Sequence, residues 1–184
     1  LQQLGITVWQ VEITRPEEIA HVVESISHVA GTSETGEAVA VSLRDRLAAL
    51  KEENAHKTPL DFFYQIAPRP LYTINDKHII SRSLSVCGGS NVFSDLPALA
   101  PQISREAVII SDPQVMIAPA SAGEPPALLA WEDWPQLQAV QNGSMLYLPA
   151  DEISQATPRL LDSIEFACKL LDEVRDTQKQ MEEK

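Results

Sequence analysis

Two cysteines, Cys87 and Cys168, carry the most definite chemistry in this sequence. No further cysteine accompanies them, which excludes a CxxC redox motif and a cysteine-based zinc site. The residues alone leave two alternatives open. In a reducing compartment they would be buried free thiols. In an oxidising compartment a single bridge would close a loop of about 80 residues and contribute roughly 4–5 kcal/mol in the chain-entropy model.

The histidines and acidic residues form no arrangement typical of catalysis. His21 and His28 share one face of a predicted helix but lie two turns apart, roughly 10 Å, too far to chelate one metal ion. Asp151 and Glu152 are adjacent, and neighbouring carboxylates on a loop rarely converge on one reacting bond. No GxSxG, P-loop, GxGxxG or HExxH motif occurs. We therefore expect no enzyme activity, no metal site and no catalytic cofactor.

The composition excludes further classes of function. Among 184 residues, 26 are acidic and 14 are basic, which gives a formal net charge of −12. Such a surface repels the phosphates of nucleic acids, and no apolar run approaches the ~20 residues that a membrane span requires. Because 44% of the residues are hydrophobic, the chain can bury a core rather than stay disordered. The charge favours solubility and a basic protein partner.

The first 58 residues are predicted to contain a short strand and two helices. Ile6–Val11 has the apolar character of a strand. Pro16 suits the first position of a helix that ends at Gly31. A second helix is predicted over about 33–55, and at 1.5 Å per residue it would be roughly 33 Å long, enough to span a lobe. Its predicted apolar stripe consists of Val39, Leu43, Leu47 and Leu50.

From Pro59 onward, short apolar runs alternate with helical patterns. Strands separated by helices indicate βαβ units, and hence an α/β fold with a mostly parallel sheet flanked by helices. In the final helix, Thr157 is the predicted N-cap, and the charged tail 176–184 is expected to fray. The predicted strands are Leu60–Ile66, Val115–Ala118 and Met145–Leu148, and the predicted helices cover about 77–88, 104–111, 126–140 and 157–180.

A family resemblance rests on an ordered set of runs in the latter half of the chain. These are Cys87–Phe93 (CGGSNVF), Pro101–Val108 (PQISREAV), Asp112–Ile117 (DPQVMI), Leu148–Asp151 (LPAD) and Thr157–Arg159 (TPR) with the helix that follows. In this order the sequence resembles the periplasmic substrate-binding proteins of cobalamin (vitamin B12) ABC importers, which belong to class III of such proteins. The resemblance covers essentially the whole chain, but only the C-terminal two-thirds of such a protein.

The resemblance implies two α/β lobes joined by a rigid helix, with the ligand in the cleft between them. Residues 1–15 would then be the last strand of the N-terminal lobe, and 16–58 a connecting helix and the long lobe-bridging backbone helix. Residues 59–184 would form the C-terminal lobe. A signal peptide and the rest of the N-terminal lobe are expected to lie outside this chain, and the protein is expected to be periplasmic.

Individual residues take expected roles from the resemblance. Cys87 and Cys168 match the two positions that form a disulfide in the cobalamin binders. Glu106 matches a glutamate of the C-terminal lobe that docks onto arginines of the membrane permease; alternatively, it is a first-turn acid that complements the helix dipole. The positions matching regions that contact the corrinoid are Leu71, Tyr72, Asp151, Glu152, Ile153, Ser154 and Gln155.

The sequence also departs from the family pattern. Glu152, Ile153 and Ala100 stand where family members can carry aromatic residues, and a corrinoid site favours large, flat apolar contacts. The resemblance implies a protein that captures cobalamin or a related corrinoid as cargo and delivers it to a permease and its ATPase. The departures leave a haem or siderophore-iron binder of the same fold as an alternative. An interaction module without a small-molecule ligand is the alternative from a different class.

Overall fold

A four-stranded parallel sheet forms the centre of the structure, a computed structural model that describes residues 2–5, 7–123 and 126–182. An antiparallel hairpin, β2 and β3, follows the first strand of the sheet. The sheet order is β4-β1-β5-β6, which confirms the predicted α/β class with a parallel sheet. The strands are β1 (Leu60–Tyr64), β2 (Ala67–Pro68), β3 (Leu71–Tyr72), β4 (Gly89–Asn91), β5 (Val115–Ala120) and β6 (Met145–Pro149).

Helices cover both faces of the sheet. The longest two, α2 and α7, correspond to the predicted backbone helix and the predicted last helix. Within the part of the chain that the structure describes, the α-helices are α1 (Glu18–Val29), α2 (Ser33–Asn54), α3 (Ile79–Val86), α4 (Arg105–Ser111), α5 (Gln138–Gln141), α6 (Ala150–Ile153) and α7 (Leu160–Glu182). None of the helices in these described ranges is long and apolar enough to cross a membrane.

The sheet is buried on both faces because successive side chains of each strand point in opposite directions. In β1, Phe62 and Tyr64 enter the larger core, whereas Phe63 enters a smaller core on the other face. The larger core also receives side chains of α2, α3 and α7, and the smaller core receives Val108 of α4 and Trp131. Buried runs without polar alternation are typical of parallel strands covered on both faces.

A disulfide between Cys87 and Cys168 lies in the larger core and joins the end of α3 to α7, with a Cα–Cα distance of 4.8 Å. The bridge implied by the resemblance is therefore confirmed. Next to it, the buried guanidinium of Arg175 donates from Nε to the carbonyl oxygen of Thr58 at 2.8 Å and from Nη2 to that of Cys87 at 2.6 Å. The last helix is thus tied to the start of β1 and to the end of α3.

Two glycines lie so close to a neighbouring side chain that a Cβ atom would collide with it. Gly88 has φ +75°, and a Cβ atom there would lie 2.8 Å from Nη2 of Arg175. Gly36 lies where α2 crosses α1, and a Cβ atom there would lie 1.9 Å from Oγ of Ser27. A larger residue would displace the Arg175 guanidinium at Gly88, where φ is also strained, and would push α2 away from α1 at Gly36.

The predicted N-terminal strand is wrong over residues 7–11, and Ile6 lies outside the described residues. This segment pairs with no strand that the structure describes, so its backbone has no ladder to join. Val8, Trp9 and Val11 are exposed there. The division of the chain at residues 15 and 58 stays a prediction.

Three helix predictions also need correction. The region 126–140 contains only a 3₁₀ turn at Leu129–Trp131 and the short α5, because prolines interrupt it. Helix α7 begins at Leu160 rather than directly after Thr157, since a turn comes first, with the Leu160 amide donating to the Thr157 carbonyl oxygen at 2.9 Å. The helix continues to Glu182 because the tail holds no proline or glycine. Val39 of the predicted stripe is exposed, and Ala40 is buried in its place.

Candidate functional site

The carboxyl ends of β1, β5 and β6 lie side by side at one edge of the sheet, which we call the carboxyl edge. Ligands of open α/β sheets bind outside this edge, where the loops leave the strands. The segment after β1 turns into the hairpin, the segment after β5 leads to the Leu129–Trp131 turn, and β6 runs directly into α6. These three connections form the candidate site.

Gln65, directly after β1, holds the loop that follows β5. Its backbone amide donates to the carbonyl oxygen of Ile117 at 2.8 Å, which continues the ladder by one residue. Its side chain is buried; Nε2 donates to the Ala127 carbonyl oxygen at 2.7 Å and Oε1 accepts from Nε1 of Trp131 at 2.8 Å. Trp131 in turn packs edge-on against Phe63, with ring centroids 5.9 Å apart. The loop is therefore fixed to the core.

A concave surface of about 930 Å³, the edge cavity, lies between the hairpin, the start of α4 and this loop. Its floor is mostly apolar and includes exposed Ile66 and Leu129. Two arginines, Arg69 and Arg105, line it together with the acidic Glu132 and Asp133. A large, open, mainly apolar surface with a few charged groups suits a bulky ligand.

Tyr72 lies in β3, beside the residues of the edge cavity. Its carbonyl oxygen accepts from the Ile66 amide at 2.9 Å, and it forms an antiparallel bridge with Gln102. Its ring is half-buried. The preceding Leu71 is 9% exposed and packs in the smaller core, so its side chain is not available to a ligand. The predicted corrinoid contact of the Leu71–Tyr72 region stays a prediction.

The predicted contact segment 151–155 forms α6 and the turn after it. Ile153 is fully buried in the larger core. The predicted corrinoid contact of the segment stays a prediction. Asp151 and Glu152 both form ion pairs with Arg159, at 3.2 and 2.8 Å, and these acids raise the pKa of Arg159. The two remaining predicted residues, Ser154 and Gln155, are exposed.

The predicted contacts and the edge cavity share the carboxyl edge but not the same surface. None of the seven predicted residues is among the described residues that line the cavity. The cavity instead uses Ile66, Arg69, Arg105 and Leu129, which the sequence did not single out. The position of Ile66 could have indicated a ligand contact, since it is the second residue beyond the carboxyl end of the buried strand β1. The arginines come from separate loops, and only the fold places them together.

Glu106 is exposed in the first turn of α4, on a helix that Ser104 caps by accepting from the Ala107 amide at 3.2 Å. Hydrogen bonds from its own backbone amide and from the Ser104 hydroxyl lower the pKa of Glu106. The carboxylate is therefore charged near neutral pH and exposed at the surface. Its neighbour Arg105 lines the edge cavity, so the first turn of α4 carries both a cavity residue and the exposed Glu106.

The histidines and carboxylates form no metal-binding group of three or more within residues 2–5, 7–123 and 126–182. His21 and His28 lie at opposite ends of α1. His78 instead caps α3, with Nδ1 accepting from the Ile80 amide at 3.2 Å, and burial lowers its pKa. This histidine has a structural role.

Comparison with known proteins assigns the chain to a family. It is 36% identical over 172 residues to the vitamin B12-binding protein of Vibrio cholerae serotype O1, an alignment that covers 93% of this chain. The crystal structure of the periplasmic vitamin B12 binding protein of Vibrio cholerae superimposes with a TM-score of 0.85 at 34% identity, covering 95% of this chain and 68% of that one. The chain belongs to the vitamin B12-binding protein family. Relatives in this family are named as binding proteins, not as enzymes.

The comparisons also show how much of a relative the chain covers and which likenesses concern the fold alone. The chain spans 62% of the length of the Vibrio cholerae vitamin B12-binding protein that it matches. A periplasmic haem-binding protein from Roseiflexus sp. RS-1 superimposes with a TM-score of 0.76, covering 88% of this chain and 64% of that one. At 15% identity this second likeness shows a shared fold alone. No protein-family model matches the chain.

Proposed function

We propose that this chain contains the C-terminal lobe of a periplasmic binding protein that captures cobalamin or a related corrinoid for an ABC importer. The observation that carries the proposal is the edge cavity, a broad apolar surface at the carboxyl edge, in a chain of the vitamin B12-binding family. Residues 16–58 would connect the lobes and 59–184 would form this lobe. The corrinoid would be cargo, and no residue would act catalytically.

The arrangement of the carboxyl edge supports a role in holding one face of a flat ligand. The apolar floor of the edge cavity can cover part of a macrocycle, and half-buried Tyr72 adds an aromatic side chain beside it. Exposed Ser154 and Gln155 can donate to or accept from the amide side chains of a corrin ring. Asp151 can do so only in competition with Arg159. The opposite face of the ligand would meet a second lobe.

Titration of the full-length protein with cyanocobalamin, followed by calorimetry or tryptophan fluorescence, tests the ligand. We expect saturable one-to-one binding. We expect much weaker binding by the 184-residue chain alone, because one lobe covers one ligand face. Binding of haem or of an iron–siderophore complex, without binding of cyanocobalamin, would contradict the corrinoid assignment.

Haem or siderophore iron is the second candidate ligand. Glu152, Ile153 and Ala100 supply none of the aromatic surface that a corrinoid favours, and Ile153 is buried. A haem-binding protein of the same fold supports including a second macrocycle among the candidates. Haemin therefore belongs in the same titration series.

We propose that Glu106 docks the loaded protein onto basic residues of a membrane permease, which works with its ATPase. The support is an exposed carboxylate with a lowered pKa on the first turn of a short helix. An exposed carboxylate can form strong, charge-assisted hydrogen bonds with guanidinium groups of a partner. The carboxylate is also favourable for α4 itself, so stability must be measured alongside transport.

The docking test compares Glu106→Ala with Glu173→Ala, a matched loss of an exposed glutamate on α7. We expect Glu106→Ala to lower cobalamin uptake in proteoliposomes containing the permease complex while corrinoid affinity stays unchanged. Glu173→Ala should alter neither quantity. Full uptake by the Glu106→Ala protein would contradict the docking role, whatever the ligand proves to be.

A further inference from the structure

Two arginines line the edge cavity without forming an ion pair to any residue that the structure describes. Arg69 lies between the two strands of the hairpin, and Arg105 is the first residue of α4. Both are exposed, and both line the cavity. Among the described residues, neither guanidinium forms an ion pair or a side-chain hydrogen bond. The acidic Glu132 and Asp133 share the cavity but lie beyond ion-pair distance of both.

This situation differs from that of most other arginines in the chain. Arg44 and Arg46 pair with carboxylates of neighbouring helices, Arg159 pairs with α6, and buried Arg175 is fully engaged. Because Arg69 and Arg105 form no ion pair with a described residue, their N–H donors are available to an anionic group of a ligand. A guanidinium presents a planar fork of donors that matches a phosphate or a carboxylate.

The surroundings of the two arginines define the ligand further. The floor beside them is apolar, with Ile66 and Leu129 exposed, and therefore suits the body of a large, flat molecule. The lining of the cavity therefore suits a bulky apolar ligand that carries an anionic group at one side. Cobalamin has this form, because its nucleotide loop contains a phosphodiester, whereas cobinamide lacks that loop. Haem also has it, through two carboxylates.

We propose that Arg69 and Arg105 bind the phosphodiester of the cobalamin nucleotide loop and so distinguish complete corrinoids from those that lack the loop. The inference rests on the proposed corrinoid function and assigns to that site two residues that determine specificity. The phosphodiester is held at the mouth of the edge cavity, between the hairpin and the start of α4. The corrin ring covers the adjoining apolar floor.

The test compares three ligands on the full-length protein: cyanocobalamin, dicyanocobinamide and haemin. The variants are Arg69→Gln, Arg105→Gln and, as a matched loss of one exposed positive charge away from the cavity, Lys169→Gln on α7. Affinities are measured by calorimetry at low and high salt. Because Arg69 and Arg105 are exposed, the variants are expected to fold, and circular dichroism checks this.

We expect each arginine variant to bind cyanocobalamin at least about tenfold more weakly, as for a lost charge-assisted hydrogen bond, and to bind cobinamide as the parent protein does. Salt should weaken only the cyanocobalamin complex of the parent protein, and Lys169→Gln should change nothing. Equal losses for both corrinoids, or no loss for either, would overturn the specificity assignment while leaving corrinoid binding intact. Binding of haemin alone, lost in the arginine variants, would overturn both proposals, since the anionic group would then be a carboxylate.

Discussion

Gln65 and Trp131 join the end of a central strand to the loop above it through one buried hydrogen bond of 2.8 Å. The same glutamine side chain donates to the Ala127 carbonyl oxygen, so both halves of its amide are satisfied. The loop that forms one wall of the edge cavity is therefore held by a buried polar contact as well as by apolar packing. Buried polar groups of this kind are costly to leave unpaired.

We predict that Gln65→Leu lowers the free energy of unfolding by about 2–4 kcal/mol, because the Trp131 indole and the Ala127 carbonyl both lose a buried partner. Urea denaturation measures the change. Trp131→Phe and the double variant complete a mutant cycle, in which we expect a coupling of about 1 kcal/mol or more. Additive effects of the two substitutions would show that the hydrogen bond contributes no stability.

We predict that reduction of the Cys87–Cys168 disulfide removes about 4–5 kcal/mol of stability, since the bridge closes a loop across 81 positions. Thermal unfolding with and without dithiothreitol measures the loss. A Cys87→Ala/Cys168→Ala variant serves as the control, because it has no disulfide to reduce and its melting temperature should be the same with and without dithiothreitol. Identical melting of the oxidised and reduced parent protein would contradict the prediction.

We predict that Arg175→Met lowers the free energy of unfolding by about 2–5 kcal/mol. Its buried guanidinium donates to the carbonyl oxygens of Thr58 and Cys87, which would be left without these donors. Arg159→Ala is the matched comparison, since that exposed arginine also pairs with carboxylates, yet its loss should cost less than about 1 kcal/mol. A smaller effect at Arg175 than at Arg159 in urea denaturation would refute this prediction.

We predict that His78 makes stability fall as the pH drops below about 7. Burial lowers its pKa in the folded state, so the unfolded chain takes up the proton first, near its ordinary value of about 6.5. The loss accumulates between that value and the lowered folded-state pKa. His78→Asn keeps a residue that can cap α3 but does not titrate. Denaturation at a series of pH values should give this variant a flatter profile between about pH 7 and 5; an unchanged profile would contradict the assignment.

The long helices and the main strands could be predicted because local sequence decides them. Helices α2 and α7 show repeating apolar positions over many turns, and the strands β1, β5 and β6 are apolar runs interrupted only by Asp61. The strand β4 (Gly89–Asn91) could not be found this way. It has no apolar run, and its state depends on pairing with β1, a contact made by distant parts of the chain.

The site was harder to predict than the fold for a similar reason. The segment 151–155 was correctly placed after β6, but one turn of helix directs Ile153 into the core, which a loop interpretation cannot foresee. Arg69 and Arg105 occupy the same cavity only because the hairpin and the start of α4 meet there. Side-chain direction and loop proximity are tertiary properties, and no local pattern encodes them.

The ties between α7, Cys87 and Thr58 also bear on the order in which the chain can fold. A protein emerges N-terminus first from the ribosome. The larger core receives Ile164 and Leu171 of α7 last, and Arg175 closes it from near the end of the sequence. Every strand of the sheet is therefore synthesised before α7, and the larger core is complete only once this helix has followed.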